Sequence, residues 1–348
     1  MSKIIRNPNN PILTTKDLQP TFDDSRVVGV LNPGACKFGD DYILVARVAE
    51  SCVQQDGWYR APFMSFDGEK PVLKTSCWKT AEIDLSDPRK FRFGSQSYLS
   101  SISHLRLARS KDGLHFTFDP EPFMAAEYPD EAFGIEDARI TRIESTYYLT
   151  YTAISKDSHG VKLAATTDFV NIKRYGMMLP PENKDTCLFP EKINGKYIAL
   201  HRPFTDHFNL PGIWYCESPD LNHWGNHSCI LRPDANNIES KKIGAGPEPL
   251  KTENGWLLLY HSADDNSVYT LHLCLLDLDD PRVVLKRTRE PILIPQAPWE
   301  KEGFFPNVVF SNGWIKEDDG RVLIYYGAAD DSICLAETTI DDLLSCLD

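Results

Sequence analysis

The sequence predicts an all-β fold, a single five-bladed β-propeller with a short C-terminal helix, and three observations predict it. Runs rich in Tyr, Leu, Val and Ile, each opening just after a turn, occur five times along the 348 residues. Most are followed by a second strand that ends in a polar turn. The unit so formed spans about 50–65 residues, the period of a propeller blade. A β-sandwich also has many short strands, but they recur about every 8–12 residues without a blade-sized repeat.

The five runs are Asp41-Tyr-Ile-Leu-Val-Ala-Arg, Thr146-Tyr-Tyr-Leu-Thr-Tyr-Thr-Ala, Lys196-Tyr-Ile-Ala-Leu-His-Arg-Pro, Gly255-Trp-Leu-Leu-Leu-Tyr-His-Ser and Arg321-Val-Leu-Ile-Tyr-Tyr-Gly-Ala. The strands that follow begin at Leu105, Val161, Ile213 and Ile333. In the first three, Ser/Thr-x-Asp leads to an aromatic residue: Phe116, Phe169 or Trp224. Asp and Ser side chains bond their own backbone in such turns. The last element is a helix over residues 339–347, where Asp341 and Asp342 suit a helix N-terminus. Residues 1–348 form one domain on this reading, with Val53–Gln96 as an insertion in the first blade.

Composition narrows the function. A formal charge of −13 disfavours nucleic acid, whose phosphates need a basic face. It also leaves no polybasic patch for an anionic membrane. No apolar signal core or membrane-length run is present. The nine cysteines contain no Cys-x-x-Cys pair and read as reduced core residues of a cytoplasmic protein. Neither Cys pairs nor a His-Glu-x-x-His string suggests a metal, so no metal site is expected.

In a propeller, polar residues on channel-facing strands converge on one pocket. Arg47, His201, Arg202, His261 and Asp330 lie in or at the end of the five runs, a costly place for charge unless it lines a cavity. Asp137, in Ala132-Phe-Gly-Ile-Glu-Asp-Ala-Arg-Ile-Thr, enters a strand beside Glu136. Alternation along a strand would let only one of the two face the channel. A carboxyl so placed can act as an acid or pair with Arg139 or Arg142. Lys184, Arg202, Lys242 and His261 fall on successive blade segments. Together they suit a phosphate, with Arg as a fork and Lys as a point charge. Glu191 and Glu248 are carboxylates on nearby loops, able to serve as bases or to balance Lys192 and Lys242. Trp214, Trp224, Trp256 and Trp314 can stack on sugars or pack within blades.

Gly134-Ile-Glu-Asp-Ala-Arg-Ile-Thr, Leu188-Phe-Pro-Glu-Lys, His201-Arg-Pro, Lys242-Ile-Gly-Ala-Gly-Pro, Phe305-Pro-Asn-Val-Val-Phe and Tyr325-Tyr-Gly-Ala-Ala-Asp resemble glycoside hydrolase family 130, the β-mannoside phosphorylases and related β-mannosidases. The resemblance runs from about Asn32 to Glu337. It implies a five-bladed propeller and inverting cleavage of a β-mannoside by inorganic phosphate, giving α-mannose 1-phosphate. It implies Asp137 as general acid, its proton passing through the mannose 3-hydroxyl. It places Lys184, Arg202, Lys242 and His261 at the phosphate, and Asn32, Arg47 and Asp330 at the mannosyl unit. It implies no cofactor, phosphate being a co-substrate, and leaves open a homo-oligomer. The acid motif departs from the family in reading Glu-Asp-Ala-Arg rather than Glu-Asp-Pro-Arg, and Glu248 stands where an uncharged residue is usual.

An inverting hydrolase needs a second carboxylate to position water, whereas a phosphorylase needs a basic cradle. The cations favour the phosphorylase, and overall similarity to the family implies β-1,2-mannobiose or a short β-1,2-oligomannoside as its substrate. The alternatives are a β-mannosidase with Glu191 or Glu248 as base, a β-1,4-mannosyl-glucose or -N-acetylglucosamine phosphorylase, and a non-catalytic sugar-binding propeller.

Overall fold

A computed structural model describes residues 4–68, 70–205, 207–234 and 238–347. Among them, five antiparallel blades succeed one another around a ring, four of four strands and the fourth of five. The first consists of Ser25–Phe38, Asp41–Cys52, Ile102–Ser110 and Thr117–Phe118; the second of Ile135–Ile143, Thr146–Ser155, Ser158–Thr166 and Lys173–Leu179. The third runs Asn183–Leu188, Tyr197–Pro203, Ile213–Ser218 and Gly225–Leu231. The fourth begins with Lys242–Ala245 and Leu250–Thr252, which both pair with Gly255–Ala263, followed by Tyr269–Leu276 and Val284–Arg287. The fifth holds Val309–Lys316, Arg321–Ala328 and Ser332–Thr339, and the N-terminal Ile5–Arg6 supplies its outer strand.

The five apolar runs are the second strand of each blade, not the innermost. Both faces of their central stretches pack against neighbouring blades, so those stretches are largely hydrophobic, as doubly buried strands are. The innermost strands are less regular. Register slips between Leu31 and Gly34, Glu136 and Arg139, Lys184 and Cys187, and Phe310 and Gly313. In the fourth blade residues 246–249 interrupt the strand instead. Bulges of this kind re-aim side chains, and Asn32, Asp137 and Asp185 sit in them with φ of 46°, 54° and 52°.

The Ser/Thr-x-Asp turns form as expected. Asp112, Asp168 and Asp220 each accept from two following backbone N–H groups. The C-terminal helix is shorter than predicted, Ile340–Leu344, with Thr339 capping the Asp342 N–H. The insertion is built from two hairpins, Trp58–Ser65 with Val72–Lys79 and Lys90–Phe93 with Gln96–Leu99. An aromatic cluster of Tyr59, Trp78, Phe91 and Tyr98 holds them together. No described helix is long and apolar enough to cross a membrane.

Candidate active site

The inner-strand bulges turn polar side chains into the channel, and the second strands reach past them. Asp137 accepts from Asn32 Nδ2 at 3.0 Å and from Arg47 Nη1 at 3.3 Å. Arg47 also binds Glu136 at 2.7 Å. Both members of the Glu136–Asp137 pair therefore meet one guanidinium. Strict alternation would have separated them; the bulge at Asp137 removes that constraint. Neither arginine expected to pair with the Asp137 carboxylate does so. Arg142 is exposed, and Arg139 donates to the Asp137 carbonyl at 2.9 Å.

Asp330 follows the second strand of the fifth blade. Burial, with Asp137 and Glu136 nearby, pushes its carboxyl up to about 6 against the pull of Arg47 and Arg89. Asp137 itself is held below the usual carboxylate range. Burial opposes ionisation there, but Arg47, Lys184 and Arg139 outweigh it. Asn32, Arg47, Asp137 and Asp330 thus form one group.

The cationic residues assemble beside them around Asp185, which the sequence reading did not single out. Asp185 Oδ2 accepts from Arg202 Nε at 2.6 Å and lies 3.3 Å from His261 Nε2; Oδ1 accepts from Arg139 at 3.3 Å. Gly244 makes this node possible: a Cβ there would collide with Asp185 and lie 2.6–2.7 Å from the His261 ring. Lys184 pairs in register with Arg202. Burial and the charges of Arg202 and Lys184 push the Lys242 ammonium well below its ordinary value, while burial lowers His261 to about 4. Arg202 Nη1, His261 Nδ1 and Asn32 Oδ1 are buried without a hydrogen-bond partner among the described residues. Buried polar atoms are usually paired, so these three are available to a polar ligand.

Two further groups face this site. His159, on the third strand of the second blade, packs edge-on against Phe204, whose ring also lies 5.0 Å from the Arg202 guanidinium carbon. Its Nε2 is buried and unpartnered, and burial with Lys184, Arg202 and Lys242 lowers its pKa to about 3. Arg89 comes from the insertion. Asp87 holds it through two 3.0 Å bonds, and it sits 3.6 Å over Phe305, close enough to Asp330 and Lys242 to shift both. Only its place in an insertion next to the first blade hinted at this.

Neither candidate base joins the site. Glu191 is exposed and paired with Lys251 at 2.5 Å. Glu248 lies near Cys36 and Cys187, and burial pushes its carboxyl well above the usual range. Trp256 and Trp314 are buried in blade packing, and Trp224 donates to Leu221 within its own turn.

A family model described as beta-1,4-mannooligosaccharide phosphorylase, glycoside hydrolase family 130, matches residues 84–348. Among curated proteins, a β-1,2-mannobiose phosphorylase of Listeria innocua is 41% identical over 98% of this chain and 97% of its own. A 1,2-β-oligomannan phosphorylase of Thermoanaerobacter is 45% identical over 71% of this chain and 82% of its own. The solved structure of the Listeria innocua β-1,2-mannobiose phosphorylase with β-1,2-mannobiose superposes with a TM-score of 0.94 at 40% identity, covering 99% of this chain and 98% of that one. The five-bladed fold agrees with these likenesses, and the chain belongs to glycoside hydrolase family 130.

Proposed function

We propose that the protein is an inverting phosphorylase that cleaves β-1,2-mannobiose or a short β-1,2-oligomannoside with inorganic phosphate, giving α-mannose 1-phosphate, and that runs in reverse for synthesis. The observation that carries the proposal is the pairing of one available acid, Asp137, with a cradle of Lys184, Arg202, Lys242 and His261. Phosphate is already a nucleophile, so the site needs cations to offset its charge and orient it, and no carboxylate base. The positions of Glu191 and Glu248 remove the two bases a β-mannosidase would have used. The β-1,2 linkage is taken from the relatives named above.

The electrostatics suggest how Asp137 becomes an acid. In the free protein the cations hold it ionised. A phosphate dianion among Lys184, Arg202 and Lys242 offsets that field, and the proton affinity of Asp137 rises with it. Asn32, Arg47 and Asp330 hold the mannosyl unit, and Asp137 then delivers a proton towards the leaving oxygen as phosphate attacks the opposite face of the anomeric carbon. Phosphate is the only small molecule required besides the sugar on this reading.

The test is cleavage of β-1,2-mannobiose with and without phosphate. Phosphate-dependent appearance of mannose 1-phosphate is expected. Equal rates in both, with free mannose as the only mannosyl product, would refute the proposal.

A further inference from the structure

Blade three carries a cluster that phosphorolysis does not use. Its second, third and fourth strands contribute His201, Cys216 and His227. Cys216 lies opposite Ala199, so it shares a face with His201 two residues on. The fourth strand would ordinarily present one residue to Cys216. Here its register slips between the Tyr215–Ser228 and Glu217–Gly225 pairs, and Asn226 takes a φ of 52°. Two residues then oppose one, and this bulge brings His227 against the other two.

The resulting geometry is that of a metal ligand set. His201 Nε2 and His227 Nδ1 are 3.1 Å apart, with their rings at 84°. All three ligand atoms, the Cys216 sulfur included, lie within 4.8 Å of one another. A tetrahedral zinc ion with Zn–N of about 2.0–2.1 Å and Zn–S of about 2.3 Å sets its ligand atoms roughly 3.3–3.6 Å apart. His201 Nδ1 is 3.1 Å from Asn183 Oδ1. That bond fixes the ring and leaves Nε2 with its lone pair towards the other two, the outer-shell arrangement metal-bound imidazoles use. His201 and Cys216 are buried, and His227 is exposed, which gives an ion a way in and a side open to water.

We propose that His201, Cys216 and His227 bind one divalent cation of borderline softness, Zn²⁺ in preference to Mg²⁺ or Ca²⁺, with water in the fourth position. Thiolate with imidazole selects such ions, and the hard cations prefer oxygen. On binding, the Cys216 thiol loses its proton to solvent and His227 carries its remaining proton on Nε2; no redox change occurs. The ion ties together three strands of blade three and fixes the residue next to Arg202.

The competing account is a hydrogen-bonded imidazole pair beside a core thiol. The full-length protein, purified without chelator, should hold about one Zn²⁺ per chain by elemental analysis. After metal removal it should take up one Co²⁺ with a thiolate-to-cobalt charge-transfer band and tetrahedral d–d absorption. Cys216→Ser should remove the charge-transfer band. His227→Ala changes an exposed side chain and spares the core, so it should fold as wild type while losing at least tenfold in Co²⁺ affinity and the Zn²⁺-dependent rise in Tm. No saturable uptake by the wild type, or uptake that His227→Ala leaves unchanged, would overturn the proposal.

Discussion

Asp185→Asn isolates the node on which the cation cradle rests. Asp185 is buried against Arg202, Arg139 and His261. His261 is neutral at ordinary pH, because burial lowers it to about 4. The carboxylate therefore balances two arginines. Asparagine keeps the shape but loses the charge, and its amide N–H₂ must face a donor on one side: Arg139, or Arg202 and His261. Removing one partner of a buried ion pair costs about 3–5 kcal/mol; asparagine retains one acceptor, so the lower end, about 3 kcal/mol, applies. At about 1.4 °C per kcal/mol for 348 residues, Tm should fall by about 4 °C. Losing the charge-assisted bond that orients Arg202, about 1.5–3 kcal/mol, should lower kcat/KM for phosphate by about 10–100-fold, with the KM for mannoside little changed. Thermal melts and initial rates with each substrate varied in turn measure both. A variant with wild-type Tm and a phosphate KM within twofold of wild type would refute the role assigned to Asp185.

Asp137→Asn should reduce turnover by about 10²–10⁴-fold, the usual contribution of a general acid, while phosphate still raises Tm; loss of the phosphate effect as well would argue that the residue builds the cradle instead. Arg89→Ala should raise a KM at least severalfold in steady-state assays, since the side chain is pinned over the site by Asp87 and Phe305; unchanged constants would leave it a structural part of the insertion. Stability should fall on acidification below about pH 6.5. His104, His261 and His272 are lowered to about 4, so the unfolded chain binds more protons between those values, and each histidine withdraws about 2 kcal/mol by pH 5. Asp330, raised to about 6, acts the other way, as do Glu136, Glu248 and Asp331, which are also raised: their contribution is present at low pH and lost as pH rises. His159 and His201, lowered to about 3, add to the three imidazoles and tip the balance. Melts from pH 7.5 to 5 should show a steadily falling Tm, and a flat profile would contradict the neutral burial of these imidazoles.

What the sequence disclosed follows from what is regular. The second strands are apolar on both faces, so Asp41–Cys52 or Gly255–Ala263 stands out as an unbroken run closed by a recognisable turn. Inner strands carry the chemistry, and bulges at Asn32, Asp137 and Asp185 break the alternation by which strands are recognised. That is why the second strands were taken for the channel lining, and why Glu136 and Asp137 were expected to part. Residue type alone pointed to Lys184, Arg202, Lys242 and His261, because buried cations need a reason. Asp185 was hidden, since nothing in Lys184-Asp185-Thr186 shows that three donors from three other strands arrive there. The base candidates failed for the converse reason: Glu191 and Glu248 lie near cationic motifs in sequence, but on segments that lead away from the bulges. His201, Cys216 and His227 have no ligand-like spacing and meet only through a slip in strand register.

The ring is closed by the N-terminal strand. Ile5–Arg6 pairs with Ser332–Thr339, Asn7 bonds Glu337 at a separation of 330 residues, and Arg6 binds Glu300 at 2.7 Å. This is a seam of the ring. The other four blades each form from contiguous chain, but this pairing joins residues about 330 apart. Loop-closure entropy makes so distant a contact slow to form. Until then the last blade exposes the edge of Ser332–Thr339, an unpaired edge of the kind that invites association between chains. The two-residue strand thus acts as the latch of the fold, and its engagement marks the point at which five separate sheets become a single channel.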